Sequence, residues 1–265
     1  DSTIEFAIKD GSTVLESASV PAASKVTWNF DLSKMPEELT AYTLEATYKD
    51  ASGNPIGNSV SSRVYKTHRP TKLNDNGNYI DTNGEIFYPV IGYGKPDDYW
   101  QESKVHGVNV FKPWIESKDL TNLEKGLDMY EDLLDKGAKE GVKFVIQFGA
   151  SEPTGYPGLS TDRMNAFLDR FANHPAIFAY FLIDEVSLKI KPANKIKTYD
   201  YMQKWLEEGY VQVRSKDTVN PIYLLDTGTR AAMEKSSRLG DIFATDPYPR
   251  AESSVPGYAY IRTRW

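Results

Sequence analysis

The sequence predicts a chain in two parts: an all-β sandwich over residues 1–67, then an α/β barrel of the TIM-type (β/α)8 class over residues 88–265, with about six units present. Three observations predict it. Six short apolar runs rich in β-formers recur after residue 88, each followed by a polar or glycine-bearing loop. Stretches of helical period lie between several of them. Before residue 67 the period is two instead, with turn signals between short alternating stretches. Strands alternating with helices imply a parallel sheet, and no Gly-rich phosphate turn follows the first strand to suggest a dinucleotide fold.

In the first part, Ser2 to Lys9 alternates, Asp10-Gly11 supplies a hairpin turn, and Thr13 to Ser17 returns. Lys25 to Phe30 and Tyr42 to Tyr48 alternate again, and Asp50 to Pro55 turns the chain into a further strand from Ile56 to Val64. Short alternating strands at this spacing predict an antiparallel sandwich with one wet face per strand. Residues 68–87 read as a linker followed by a hairpin, Asn76 to Phe87, placed to close the bottom of the barrel.

The barrel strands are expected at Tyr88–Tyr93, Val108–Trp114, Lys143–Gly149, His174–Glu185, Pro221–Asp226 and Asp241–Pro249. Between the second and third, residues 122–136 place Leu123, Leu127, Tyr130 and Leu134 on one helical face. A second helix runs from a capping Ser160 or Thr161 to Phe171, and a third from about Lys197 to Arg214 with Tyr201, Trp205 and Tyr210. The fourth strand carries the most information. It is an apolar run that delivers two adjacent carboxylates, Asp184 and Glu185, at its carboxyl end, which is where such barrels keep their reactive groups. A plain polar loop start is the competing reading of the two acids.

Composition sets the outer limits. A hydrophobic share of 40% over 265 residues is ample for two cores, and no apolar run reaches membrane-spanning length. A net charge of −6 argues against nucleic acid as the partner. With no cysteine there are no disulfides or thiolate ligands, and histidines 68, 106 and 174 lack metal-ligand spacing, so neither metal nor cofactor is expected. His174 reads as structural, bonding backbone at the entry to the fourth strand.

The Ile80 to Gly92 segment after a sandwich, and Asn173-His174-Pro175-Ala176-Ile177 before a strand ending in Asp184-Glu185, resemble the barrel glycoside hydrolases of the large retaining superfamily called clan A. The resemblance covers the chain from the sandwich to Pro249 and implies that the sandwich is immunoglobulin-like. It also implies that Glu185 takes the acid/base position, and that a nucleophilic glutamate lies at the end of a seventh strand. Asp184 departs from the asparagine usual there.

The chemistry fits the residues. A retaining hydrolase needs one carboxylic acid to protonate the leaving oxygen and a second carboxylate to attack the anomeric carbon. Glu185 suits the first role if burial and the Asp184 charge raise its pKa. Sugars also bind through aromatic faces and polar forks, for which the strand ends offer Tyr93, Lys112, Trp114, Gln147, Asp226, Asp246 and Tyr248. Trp114 and Tyr248 are the expected sugar platforms, with rim packing as the alternative; Lys112 and Asp226 are equally placed to pair with other charges. Asp246 to Pro249 is stiffened by two prolines, and Glu152 is an alternative carboxylate.

Only nineteen residues follow Asp246, whereas two further units need on the order of 60, so a further segment of the same polypeptide is expected to complete the barrel. Three readings stay open: a hydrolase acting on an oligo- or polysaccharide outside the cytoplasm; a carbohydrate-binding or scaffold barrel without the nucleophile; and a metal-dependent hydrolase using Asp184, Glu185, Asp226 and Asp246.

Overall fold

The computed structural model describes residues 2–36, 41–66, 70–81, 83–94, 103–113, 122–147, 161–185, 199–227 and 239–246. The chain divides into two compact units, Asp1–His68 and Arg69–Trp265.

In the first unit, β1 (Thr3–Asp10) and β2 (Thr13–Pro21) form the expected hairpin. β3 (Ala41–Lys49) pairs antiparallel with β1, and β4 (Val60–Tyr65) with β3, giving one sheet ordered β2-β1-β3-β4. Its two faces differ in kind, as period-two patterning requires. One carries Ile8 opposite Leu44 and Tyr42 opposite Val64. The other carries charges in diagonal pairs, Lys9 with Glu45 at 2.8 Å and Lys49 with Glu5.

Two expectations need correction here. Lys25 to Phe30 forms no strand. Its alternation is that of an apolar strip laid on the sheet: Trp28 stacks on Phe6 with centroids 5.6 Å apart, and Trp28 and Phe30 pack on the Ile8 cluster. Among the described residues the covering layer is therefore a packed segment, ending in buried Met35, and not the second sheet of a sandwich. The strand expected from Ile56 begins only at Val60.

The turn at Asp50 is built from its own side chain, which accepts from the Ser52 and Asn54 amides at 2.9 and 2.8 Å, while Gly53 takes φ 84°. The same construction recurs in the second unit at Asn74 with Gly77 and at Asp81 with Gly84. The expected single hairpin of residues 76–87 is thus two successive tight turns. Tyr79 and Phe87 from this segment lie against Phe178, 4.6 and 6.3 Å between centroids.

The second unit is a parallel sheet of six strands in chain order: β5 (Ile91–Gly94), β6 (Val110–Pro113), β7 (Lys143–Gln147), β8 (Ile177–Phe181), β9 (Ile222–Thr227) and β10 (Ile242–Asp246). All six lie within the expected runs or one residue beyond them. Alternation divides each strand between two cores. Phe111, Phe144, Ile146, Ile177, Tyr180, Ile222 and Leu224 pack in the larger cluster with the helices; Val110, Val145, Ala179, Phe181, Tyr223 and Leu225 form the inner one. With both faces covered, β8 is buried at every residue, which is why it reads as an unbroken apolar run.

Helix α1 (Leu123–Glu140) is capped by Asn122, whose side chain accepts from the Lys125 amide at 3.1 Å, and it stops at Gly141 in the left-handed region, φ 69°. It buries Leu127, Tyr130 and Leu134, the expected face, and runs four residues past the expected end. Helix α2 (Thr161–Phe171) buries Met164, Phe167, Leu168 and Phe171. Helix α3 (Tyr199–Arg214) buries Met202, Leu206 and Val213. Gly137 marks a close approach between α1 and β7. A Cβ there would stand 2.3 Å from the ring of Phe144, which is fully buried and cannot swing aside. Gly137→Ala is expected to cost about 1–3 kcal/mol through overpacking, read as a lowered urea midpoint.

Candidate functional site

Leu182 and Ile183, each 1% exposed, extend the burial of β8, so Asp184 and Glu185 are the first half-exposed groups at its carboxyl end. Glu185 has φ 47°, a left-handed conformation that costs a non-glycine residue roughly 1–2 kcal/mol. Glycine would relieve that strain.

Two-residue alternation puts Tyr93, Lys112 and Gln147 on the inner side, two residues beyond Ile91, Val110 and Val145. Phe181 of β8 joins them. The Lys112 ammonium lies 4.0 Å from the Phe181 ring centroid and 5.1 Å from that of Tyr93, which is 57% exposed. Burial pulls the Lys112 pKa down, and the Asp184 carboxylate works against that shift. The structure therefore brings together Tyr93, Lys112 and Asp184 at the carboxyl ends of β5, β6 and β8, with Glu185 next in the chain. Phe181 is the member that sequence reasoning missed, because it is indistinguishable there from the rest of an apolar strand.

Asp226 is elsewhere. It is fully buried and shares the side of Ile222 and Leu224, so it stands apart from the Lys112 face. Asp246 is the last residue of β10. Trp114, Tyr248 and Glu152 lie outside the described residues. His174 does bond backbone at the entry to β8: its Nδ1 accepts from the Ala176 amide at 3.2 Å, and Nε2 lies 3.5 Å from Asp135.

At the opposite, amino end of the strands is a buried polar network that the sequence reading missed. Asp217, 0% exposed, accepts from the Tyr180 hydroxyl at 2.5 Å, from the Asn173, Val219 and Asn220 amides at 2.8–2.9 Å, and from Asn220 Nδ2 at 2.8 Å. Burial alone would raise its pKa; the bonds from Tyr180, Asn173 and Asn220 outweigh that and hold it below the usual value. Arg214 bonds the Asp217 and Asn220 carbonyls at 2.9 and 2.8 Å and pairs with Asp241, which also accepts from the Ile222 amide.

Lys72 completes that network, donating to Ile177 O at 3.0 Å and Asn220 Oδ1 at 2.6 Å. Burial and the Lys143 charge bring its pKa down to about 8 against the pull of Asp217. The unfolded chain, at about 10.4, holds this proton longer, so the contribution of Lys72 to stability rises from about pH 8 to pH 10.4. Lys72→Met is expected to flatten that rise when urea unfolding is compared at pH 7.5 and 9.5.

No family model matches the sequence, and no curated relative does. Among solved structures the chain is similar to a calcium-binding mutant of beta-glucuronidase 2 from Bacteroides uniformis, with TM-score 0.50, 14% identity, and coverage of 99% of this chain and 34% of that one. It is also similar to a beta-glucanase from Saccharophagus degradans in complex with cellotetraose, with TM-score 0.49, 17% identity, and coverage of 76% and 71%. A beta-glucuronidase from Ruminococcus gnavus gives TM-score 0.45, 13% identity, and coverage of 93% and 43%. The chain spans about a third of the Bacteroides enzyme's length. At these identities the likeness is one of fold, which this chain shares with the Bacteroides enzyme. Among the described residues, no helix is long and apolar enough to cross a membrane, and no cluster of three or more His, Asp or Glu could hold a metal ion.

Proposed function

We propose that the protein is a retaining glycoside hydrolase acting on an oligo- or polysaccharide outside the cytoplasm, with Glu185 as general acid/base. The observation that carries this reading is the convergence of Tyr93, Lys112, Phe181 and Asp184 at the strand ends, beside a glutamate held at φ 47°. The glycosidase fold supports it.

On this reading the Glu185 carboxyl gives its proton to the glycosidic oxygen as the bond to the anomeric carbon breaks. A second carboxylate attacks that carbon. Glu185, now ionised, then takes a proton from the water that releases the sugar. Tyr93 offers its exposed face to a sugar ring. The test is turnover of a panel of aryl glycosides by the intact protein: Glu185→Gln is expected to abolish turnover and leave sugar binding measurable, and unchanged turnover contradicts the assignment. A second reading, binding without hydrolysis, is favoured by Asp184 standing where the superfamily uses asparagine; its result would be wild-type protein that binds glycans and releases no reducing ends.

A further inference from the structure

Resting on the carbohydrate reading above, we infer that Lys112 selects glycans bearing an acidic group, a carboxylate or a sulfate ester, by pairing its ammonium with that group at the ends of β5 and β6. The starting point is the cost of this lysine. It occupies an inner-facing position directly beyond Val110, where a leucine or methionine would fill the same space without desolvating a charge. Lys112 is half-buried, and among the described residues it makes no hydrogen bond and has no carboxylate within 4 Å.

What does hold it is aromatic. The rings of Phe181 and Tyr93, at 4.0 and 5.1 Å, offset part of the desolvation and fix the direction of the side chain, so the charge is pre-organised. Among the described residues, the titratable groups acting on it from the packed elements are Tyr93 on β5 and Asp184 after β8. Asp184 acts on the charge from beyond ion-pair distance, and among the described residues none takes the three N–H donors. An anionic substituent placed against them would form a charge-assisted hydrogen bond at a partly desolvated position, where such bonds are stronger than in water. A neutral sugar offers only hydroxyls and leaves the ammonium under-satisfied, so discrimination follows from the site being built for charge.

The experiment is binding of the intact protein to a glycan array carrying neutral, uronate-containing and sulfated oligosaccharides, followed by calorimetric titration of the best ligand and its neutral counterpart. The expected result is a preference of about tenfold or more for the acidic ligand, weakening as salt is raised. Lys112→Met should abolish the preference and Lys112→Arg should keep it, so a fold defect and a lost charge are told apart. Preference within the uronate arm or within the sulfate arm identifies the source of the anion. Equal binding of neutral and acidic ligands, or a preference that survives Lys112→Met, overturns the inference and leaves the carbohydrate reading standing. Failure to bind any glycan overturns the carbohydrate reading and this inference with it.

Discussion

Asp217→Ala is expected to remove about 3–5 kcal/mol of stability, lowering the melting temperature by roughly 6–20 °C. The residue is fully buried, and its two oxygens satisfy three backbone amides, the Tyr180 hydroxyl and the Asn220 side chain. Deleting the carboxylate strands all of these donors inside the protein, each at about 1–3 kcal/mol before relaxation and water entry. The loss spreads because the partners belong to separate elements: Asn173 follows α2, Tyr180 is in β8, and Asn220 leads into β9. Asn220 in turn takes the Lys72 ammonium.

The same residue predicts an acid limb. Its folded pKa lies below the unfolded value near 3.9, so its contribution is complete above about pH 4 and is lost as pH falls through the lower folded value. Thermal melts between pH 2.5 and 6 should therefore show a slope in the wild type that is reduced in Asp217→Asn. A slope equal in both would mean that the carboxylate contributes no linkage.

None of this network is legible in the sequence. Ser215 to Asn220 reads as any polar loop after a helix, and nothing local says that Asp217 points inward or that Lys72 meets Asn220, 148 residues further on. The parallel sheet is legible for the opposite reason. Burial of both faces writes itself into five consecutive apolar residues in β8, and three helices announce themselves by a period that holds for eleven residues or more. Lys25 to Phe30 shows the limit of that logic: alternation records which side chains face a core, and Trp28 and Phe30 face one without their backbone joining a ladder. At the site, Asp184, Glu185, Lys112 and Tyr93 are readable as polar or aromatic residues closing apolar strands. Asp226 meets the same description yet lies on the helix side, because one residue of register separates the two faces.

The second large effect concerns Glu185. On the proposed mechanism, Glu185→Ala is expected to lower kcat on a substrate with a poor leaving group by about 10²–10⁴-fold, the range of a lost general acid. An aryl glycoside whose leaving group needs no proton should suffer far less in the glycosylation step. Its turnover should then be limited by release of the glycosyl-enzyme, for want of a base to activate water. Added azide, which needs no base, should restore turnover of that substrate and yield a glycosyl azide of retained configuration. A uniform loss across leaving groups, without azide rescue, would instead assign Glu185 to holding the loop. That is the role its φ of 47° would leave it if its carboxylate did no chemistry.

The measurement that bears most directly on the central claim is a crystal structure of the intact Glu185→Gln protein with a bound oligosaccharide. The expected result is a sugar lying against the exposed face of Tyr93 at the carboxyl ends of β5, β6 and β8, with the residue 185 side chain within hydrogen-bond reach of a glycosidic oxygen and Lys112 in contact with the ligand. A saccharide bound elsewhere, with these strand ends holding only water, would contradict the assignment.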